Sequence, residues 1–284
     1  MPIKTILVHL DTEQHAADLI GMAASIAEKT TAHLIGLHVV PDVYVAATIP
    51  AEVIGELIEA QREANEGVAA KVEARFRQAV AGLRSPTEWR KDQARFETVA
   101  DVVIRHGRTT DLLVLGQSEE KLNFYSSADT SGDIMLRAGR PVLMVPLKGP
   151  NGPIGKRILV AWKDTREAAR AVFDAMPFLV DADMVHILTV KQPSGRNTDA
   201  TRVMPIPAAD IAATLAHHDV RCEIIEKAGP ESSAGAQILA QVKERRCDLV
   251  VMGGYGHSRM REIIFGGATR SLFDTMTVPV LMSH

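Results

Sequence analysis

In the run VMGGYGHSRMREIIFGGATR, residues 251–270, Gly253 and Gly256 are followed after nine residues by the pair Gly266 and Gly267. Glycines let a backbone come close to a bulky anion and take positive φ angles, and unpaired N–H groups at a helix N-terminus favour negative charge. Apolar strand residues precede the first cluster and a helix signal follows the second, which is where a phosphate cradle would form. The pattern is not a Walker loop, which ends in Gly-Lys-Ser/Thr, nor a dinucleotide fingerprint, whose glycines fall within six residues. The same glycines also suit a purely structural turn. His257 and Arg259 stand between the clusters, placed either to meet phosphates as cations or to be solvated in a loop.

Asp11 and Asp164 open the runs DTEQ and DTRE, both Asp-x-x-Gln/Glu patterns of the capping-box type. Capping a helix is their expected main role, and it leaves them free to touch a ligand. Lys163, just before Asp164, offers a cation to a phosphate or an acidic ligand. His217, His218 and Cys222 do not read as a metal site, because adjacent histidines on a helix point in different directions. The chain has no His-Glu-x-x-His and no Gly-x-Ser-x-Gly elbow, and spacing assembles no Ser-His-Asp or Cys-His pairing. No catalytic residue and no metal site are assigned.

The elements that position these residues come from a duplicated chain. ILVHLDTEQHAADLI from Ile6 pairs with ILVAWKDTREAARAV from Ile158, DLLVLG from Asp111 with DLVVMG from Asp248, and RPVLMVP from Arg140 with VPVLMSH from Val278. Three landmarks in one order mark a tandem duplication with halves at 1–147 and 156–284. The linker KGPNGPIG lies between them. Within the second half the pattern predicts strands at 158–162, 184–190, 220–227, 249–252 and 278–282. Helices are expected at 165–179, 208–217 and 233–245, with a last helix before the final strand. Continuous apolar strands alternating with helices imply two tandem doubly wound α/β domains, each a mainly parallel five-stranded sheet with helices on both faces. The first half carries a longer helical stretch, 51–80, read as an amphipathic surface helix.

At 284 residues, 46% hydrophobic and 24% charged, the chain can build two cores. A net charge of −3 gives no whole-protein reason to expect nucleic acid. The start MPIKTILVHLD is read as neither signal peptide nor spanning helix, and no segment offers about 18 uncharged apolar residues. A soluble, cytoplasmic protein is expected. Cys222 and Cys247 are too few for a disulfide framework and read as small buried residues beside strands.

These landmarks resemble the universal stress protein family, with two such domains fused over nearly the whole chain. The resemblance implies a fold of the adenine nucleotide alpha hydrolase-like kind. The family's ATP-binding members carry G-x-x-G, nine residues, then G-[ST]. Gly253, Gly256 and Gly266 match the three glycines, and Gly267 stands where the family has Ser or Thr. The resemblance implies that backbone groups of Gly253, Gly256, Gly266, Gly267 and Ala268 line the phosphates of an adenine nucleotide, with or without magnesium; Met252 is counted among the nucleotide-binding residues, and so is Thr269, a partial substitute for the hydroxyl that Gly267 lacks. The resemblance also puts Asp164 near that nucleotide and the backbone at Val190, after the second strand of this half, against adenine. The first half has Glu119 at the second glycine and Ala128 or Asp129 at the third, and is read as degenerate.

By the same resemblance the last strands of the halves meet within one chain, which leaves room for a further homodimer and for a protein partner. Three functions stand open: a nucleotide-responsive stress regulator, a ligand-free interaction scaffold, and a slow ATPase. No membrane role is implied.

Overall fold

Apolar runs such as TILVH and LLVLG are too short for helices and bury almost every side chain, so they become interior strands. The computed structural model describes residues 2–43, 51–117, 128–147, 152–191, 208–229, 234–254, 272 and 275–284. Contacts divide the chain into two compact units, Ile3–Arg140 and Pro141–His284, the latter taking in Pro2.

The first unit holds β1 (Thr5–His9), α1 (Glu13–Thr30), β2 (His33–Val40), α2 (Ala51–Val80), β3 (Thr87–Gln93), α3 (Val99–Gly107), β4 (Leu112–Gly116) and α4 (Ala128–Arg137). Its sheet runs β3-β2-β1-β4, with every described pairing parallel. Helix α1 stops where Thr31 takes a left-handed φ of 53° and its N–H reaches the Ala27 carbonyl. The second half of α2 packs on the sheet through Phe76, whose ring lies 5.3 Å from that of Trp89. Gly36 on β2 makes room for both: a Cβ there would lie 2.6 Å from Phe76 and 2.9 Å from Trp89.

The second unit holds β5 (Val142–Val145), β6 (Arg157–Ala161), α5 (Arg166–Asp174), α6 (Met176–Leu179), β7 (Met184–Lys191), α7 (Ala208–Ala216), β8 (Cys222–Ala228), α8 (Ala234–Arg245), β9 (Leu249–Gly253) and β10 (Val280–Ser283). Its order is β5-β10-β9-β6-β7-β8. All described pairings are parallel except β5 with β10, which is antiparallel with Leu281 opposite Leu143. The fifth strand of the first repeat is therefore grouped with the sheet of the second. The expected helix 165–179 is interrupted at Ala175, because Pro177 has no N–H to give and its ring clashes with the preceding turn.

The aspartate shared by DLLVLG and DLVVMG has a structural task. Asp111 accepts from the backbone N–H groups of Lys4 and Thr5 and from the Thr5 hydroxyl. Asp248 accepts from the N–H groups of Gly155, Lys156 and Arg157. Each carboxylate clamps the start of its repeat's first strand. Burial raises the Asp111 pKa, but these hydrogen bonds outweigh it and hold the acid below its usual range.

Candidate functional site

In an open parallel sheet the crevice lies beyond the carboxyl ends of the strands, where the strand order reverses. In the second unit that point falls between β6 and β9, with Ala161 beside Met252 in register. Met252 is buried. Gly253 ends β9 opposite Ser283, and the Gly254 N–H donates to the Ser283 carbonyl at 2.8 Å. A Cβ at Gly253 would lie 2.5 Å from the Ala168 nitrogen and 2.6 Å from the Glu167 carbonyl carbon, both backbone. The glycine thus lets the end of β9 lie directly against the first turn of α5.

That first turn is capped differently from expectation. Thr165, not Asp164, is the N-cap of α5, its hydroxyl accepting from the Ala168 N–H at 3.3 Å. Asp164 stands one residue earlier, exposed on the loop leading from β6. In the first unit Thr12, not Asp11, holds the N-cap position of α1, and its side chain makes no capping bond. Aspartate and threonine are both good caps, and backbone φ and ψ choose the one nearer the helix. Glu167, in the turn under Gly253, is buried and bonded to Arg166. Burial raises its pKa, yet bonds from Arg166, its own N–H and Thr165 bring it below the usual value.

Val190 does not follow the second strand of this repeat; it lies inside β7, paired with Lys227 on β8. The strand runs on to Lys191 because β8 continues beside it, while β6 registers with β7 only as far as Leu188 and the Trp162 N–H closes onto the Leu188 carbonyl. Val190 therefore extends past the end of β6 at the rim of the crevice. Among the buried polar atoms of this unit that lack hydrogen-bond partners are the Trp162 Nε1, just past the end of β6, and the Thr189 Oγ1, near the end of β7. Buried donors and acceptors are normally satisfied, so such orphans call for a partner. Of the expected nucleotide contacts, Asp164, Val190, Met252 and Gly253 come to this end of the sheet. Gly256, His257, Arg259, Gly266, Gly267, Ala268 and Thr269 lie outside the described residues.

At the corresponding place the first unit carries residues that pattern reading passed over. His9 ends β1 where the second repeat has Ala161, and its Nε2 is buried without a partner, as is the Thr12 Oγ1. Burial lowers the His9 pKa to about 4; Asp11 opposes this and His38 adds to it. His38, also buried, has its Nδ1 2.7 Å from the Leu10 carbonyl. A histidine inside the repeated ILV strand was the available signal, but burial cannot be read from one residue letter. Cys222 is half-buried and Cys247 buried, its thiol pushed up to about 11 by burial. Among the described residues no group of three or more His, Cys, Asp and Glu can hold a metal ion. No helix among them is long and apolar enough to cross a membrane.

Compared with known proteins, the chain matches a model of the universal stress protein family twice, over residues 2–146 and 155–284. No curated protein matches it. A universal stress protein from Archaeoglobus fulgidus superposes with a TM-score of 0.65 at 17% identity, covering 98% of this chain and 94% of that one. A structure described as a putative universal stress protein from Pseudomonas aeruginosa gives 0.53 at 18% identity, with 98% and 92% covered. A protein described as functionally unknown from the same species gives 0.54 at 16% identity over the same shares. At these identities the structural likeness speaks for the fold.

Proposed function

The chain belongs to the universal stress protein family, and on that premise we propose that its second repeat, 156–284, binds an adenine nucleotide, with ATP the leading candidate. The observation that carries this reading is the place of Gly253. The first glycine of the phosphate pattern stands at the switch point between β6 and β9, on a backbone pressed against the first turn of α5. The orphaned Trp162 Nε1 and Thr189 Oγ1 in the same unit fit a ligand rich in hydrogen-bonding groups. Gly256, Gly266, Gly267 and Ala268 would present backbone N–H groups to the phosphates, and Asp164 would accept from a sugar hydroxyl or join a magnesium ion. The nucleotide would supply the switch: a protein that binds it in only one conformation is biased toward that state, and with it toward a protein partner.

In this reading the first repeat does not bind nucleotide, since it lacks the later glycines, and the protein acts in the cytoplasm as a stress-response regulator. Any hydrolysis would be slow, because phosphoryl transfer needs a positioned water and stabilised charge, and no sequence motif here marks a residue for activating the water. A second reading, a ligand-free scaffold, draws on the same Gly253. Its steric need for a hydrogen side chain exists without a ligand.

The test is the nucleotide content of freshly purified protein, released by denaturation and resolved by anion exchange, beside a Gly256→Glu variant. The expected result is near-stoichiometric ATP or ADP in the wild type and none in the variant. No nucleotide in either, and no heat on titration with ATP and magnesium, would leave the scaffold.

A further inference from the structure

We propose that the N-terminal half of α2 is a homodimerisation arm, pairing antiparallel with the same helix of a second copy. From Val53 to Val68 no side chain of this helix is buried, a stretch of about 24 Å at 1.5 Å per residue. Burial begins at Ala69 and continues through Val72, Phe76 and Val80. At about 100° per residue these four share one face, whereas Val53, Leu57, Ala60, Ala64 and Val68 form a second stripe roughly 120° away. That stripe is exposed along its length, Val53 at 45%, Leu57 at 42% and Val68 at 39%. A helix of this length without packing is marginal in water, and most helical stability comes from covering an apolar face.

Charge selects the occupant and its direction. Glu56 and Glu63 flank the N-terminal part of the stripe, and Lys71 and Arg75 lie on it at the C-terminal end. Arg75 also pairs with Glu13 at 3.2 Å and is 53% exposed. A parallel copy would set acid against acid and base against base. An antiparallel copy, on a two-fold axis near Ala64, sets Glu56 within a turn of the other copy's Lys71 and Arg75. It also lays Leu57 along the stem of that lysine. The four glutamates at 56, 59, 63 and 66 disfavour an anionic lipid surface. A contact of four to five turns lies at the small end of specific interfaces, so the dimer is concentration-dependent. Helix α2 belongs to the first unit and the nucleotide reading concerns the second, so neither inference depends on the other.

Sedimentation velocity of the full chain over a wide concentration range, with circular dichroism to confirm folding, tests the arm. The wild type passes from monomer to dimer, and Leu57→Glu weakens dimerisation at least tenfold with the fold intact. Glu56→Lys also weakens it, and adding Lys71→Glu restores it. In a Cys222→Ser background Ala64→Cys cross-links two chains on oxidation. Val53→Cys does not, because its two copies lie about 30 Å apart in the antiparallel pair. A wild type that stays monomeric, a dimer indifferent to Leu57→Glu, or equal cross-linking at 53 and 64 would overturn the proposal.

Discussion

Gly253 and Gly116 hold the same place in the two repeats and answer the same substitution differently. An added Cβ at Gly253 meets backbone atoms of α5 at 2.5 Å, whereas at Gly116 it meets only the Leu19 side chain, at 3.3 Å. Gly253→Ala should cost about 1–3 kcal/mol by overpacking. Gly116→Ala should cost less, because a leucine can change rotamer, and urea unfolding of both variants decides. His9 gives a second residue-scale expectation. Its folded pKa of about 4 lies below the ordinary histidine value of 6.5, so the neutral form is favoured in the fold. Its contribution is fully present above pH 6.5 and is lost as pH falls toward 4, since the unfolded chain then binds the proton first. The gap corresponds to about 3 kcal/mol at most. His9→Gln should therefore flatten the fall in Tm between pH 7 and pH 5, measured by thermal unfolding across that range.

At the scale of elements, most strands and helices could be read from apolar runs and Gly/Pro punctuation, because those patterns state what must be buried and where the backbone must turn. The caps could not. DTEQ and DTRE each place two good capping residues side by side, and only the backbone path shows that Thr12 and Thr165 occupy the caps. The orphaned atoms His9 Nε2 and Trp162 Nε1 were equally invisible, since satisfaction of a hydrogen bond is a tertiary fact. A full capping box lies on α3, where Thr98 and Asp101 exchange bonds between side chain and backbone. Thr98→Ala should cost about 1 kcal/mol. Thr12→Ala should cost far less, because its hydroxyl makes no cap bond and has no partner in burial. Chemical denaturation of the two variants side by side measures the difference.

Across the whole chain, the duplication was legible because three landmarks recur in one order, and the pairing of the two last strands was implied by family resemblance. The repeated letters did not reveal that contacts would group β5 with the second repeat's sheet. Strand β10 sits between β5 and β9 with Val280, Leu281 and Met282 fully buried. A fragment spanning 156–284 lacks β5 and bares one edge of β10, an apolar edge that invites association. It should unfold at lower temperature, or self-associate more readily, than a fragment spanning 141–284, in which that edge of β10 stays paired; light scattering during thermal unfolding separates the two.

On the ribosome, chain order becomes time order. Strand β5 is translated before β6, β7, β8 and β9, yet the neighbour it pairs with antiparallel, β10, is the last described strand to emerge. Until then VLMV waits as an apolar ribbon without that neighbour. A ribosome-bound chain halted before β10 should therefore be cut by protease within residues 142–145 more readily than the finished chain.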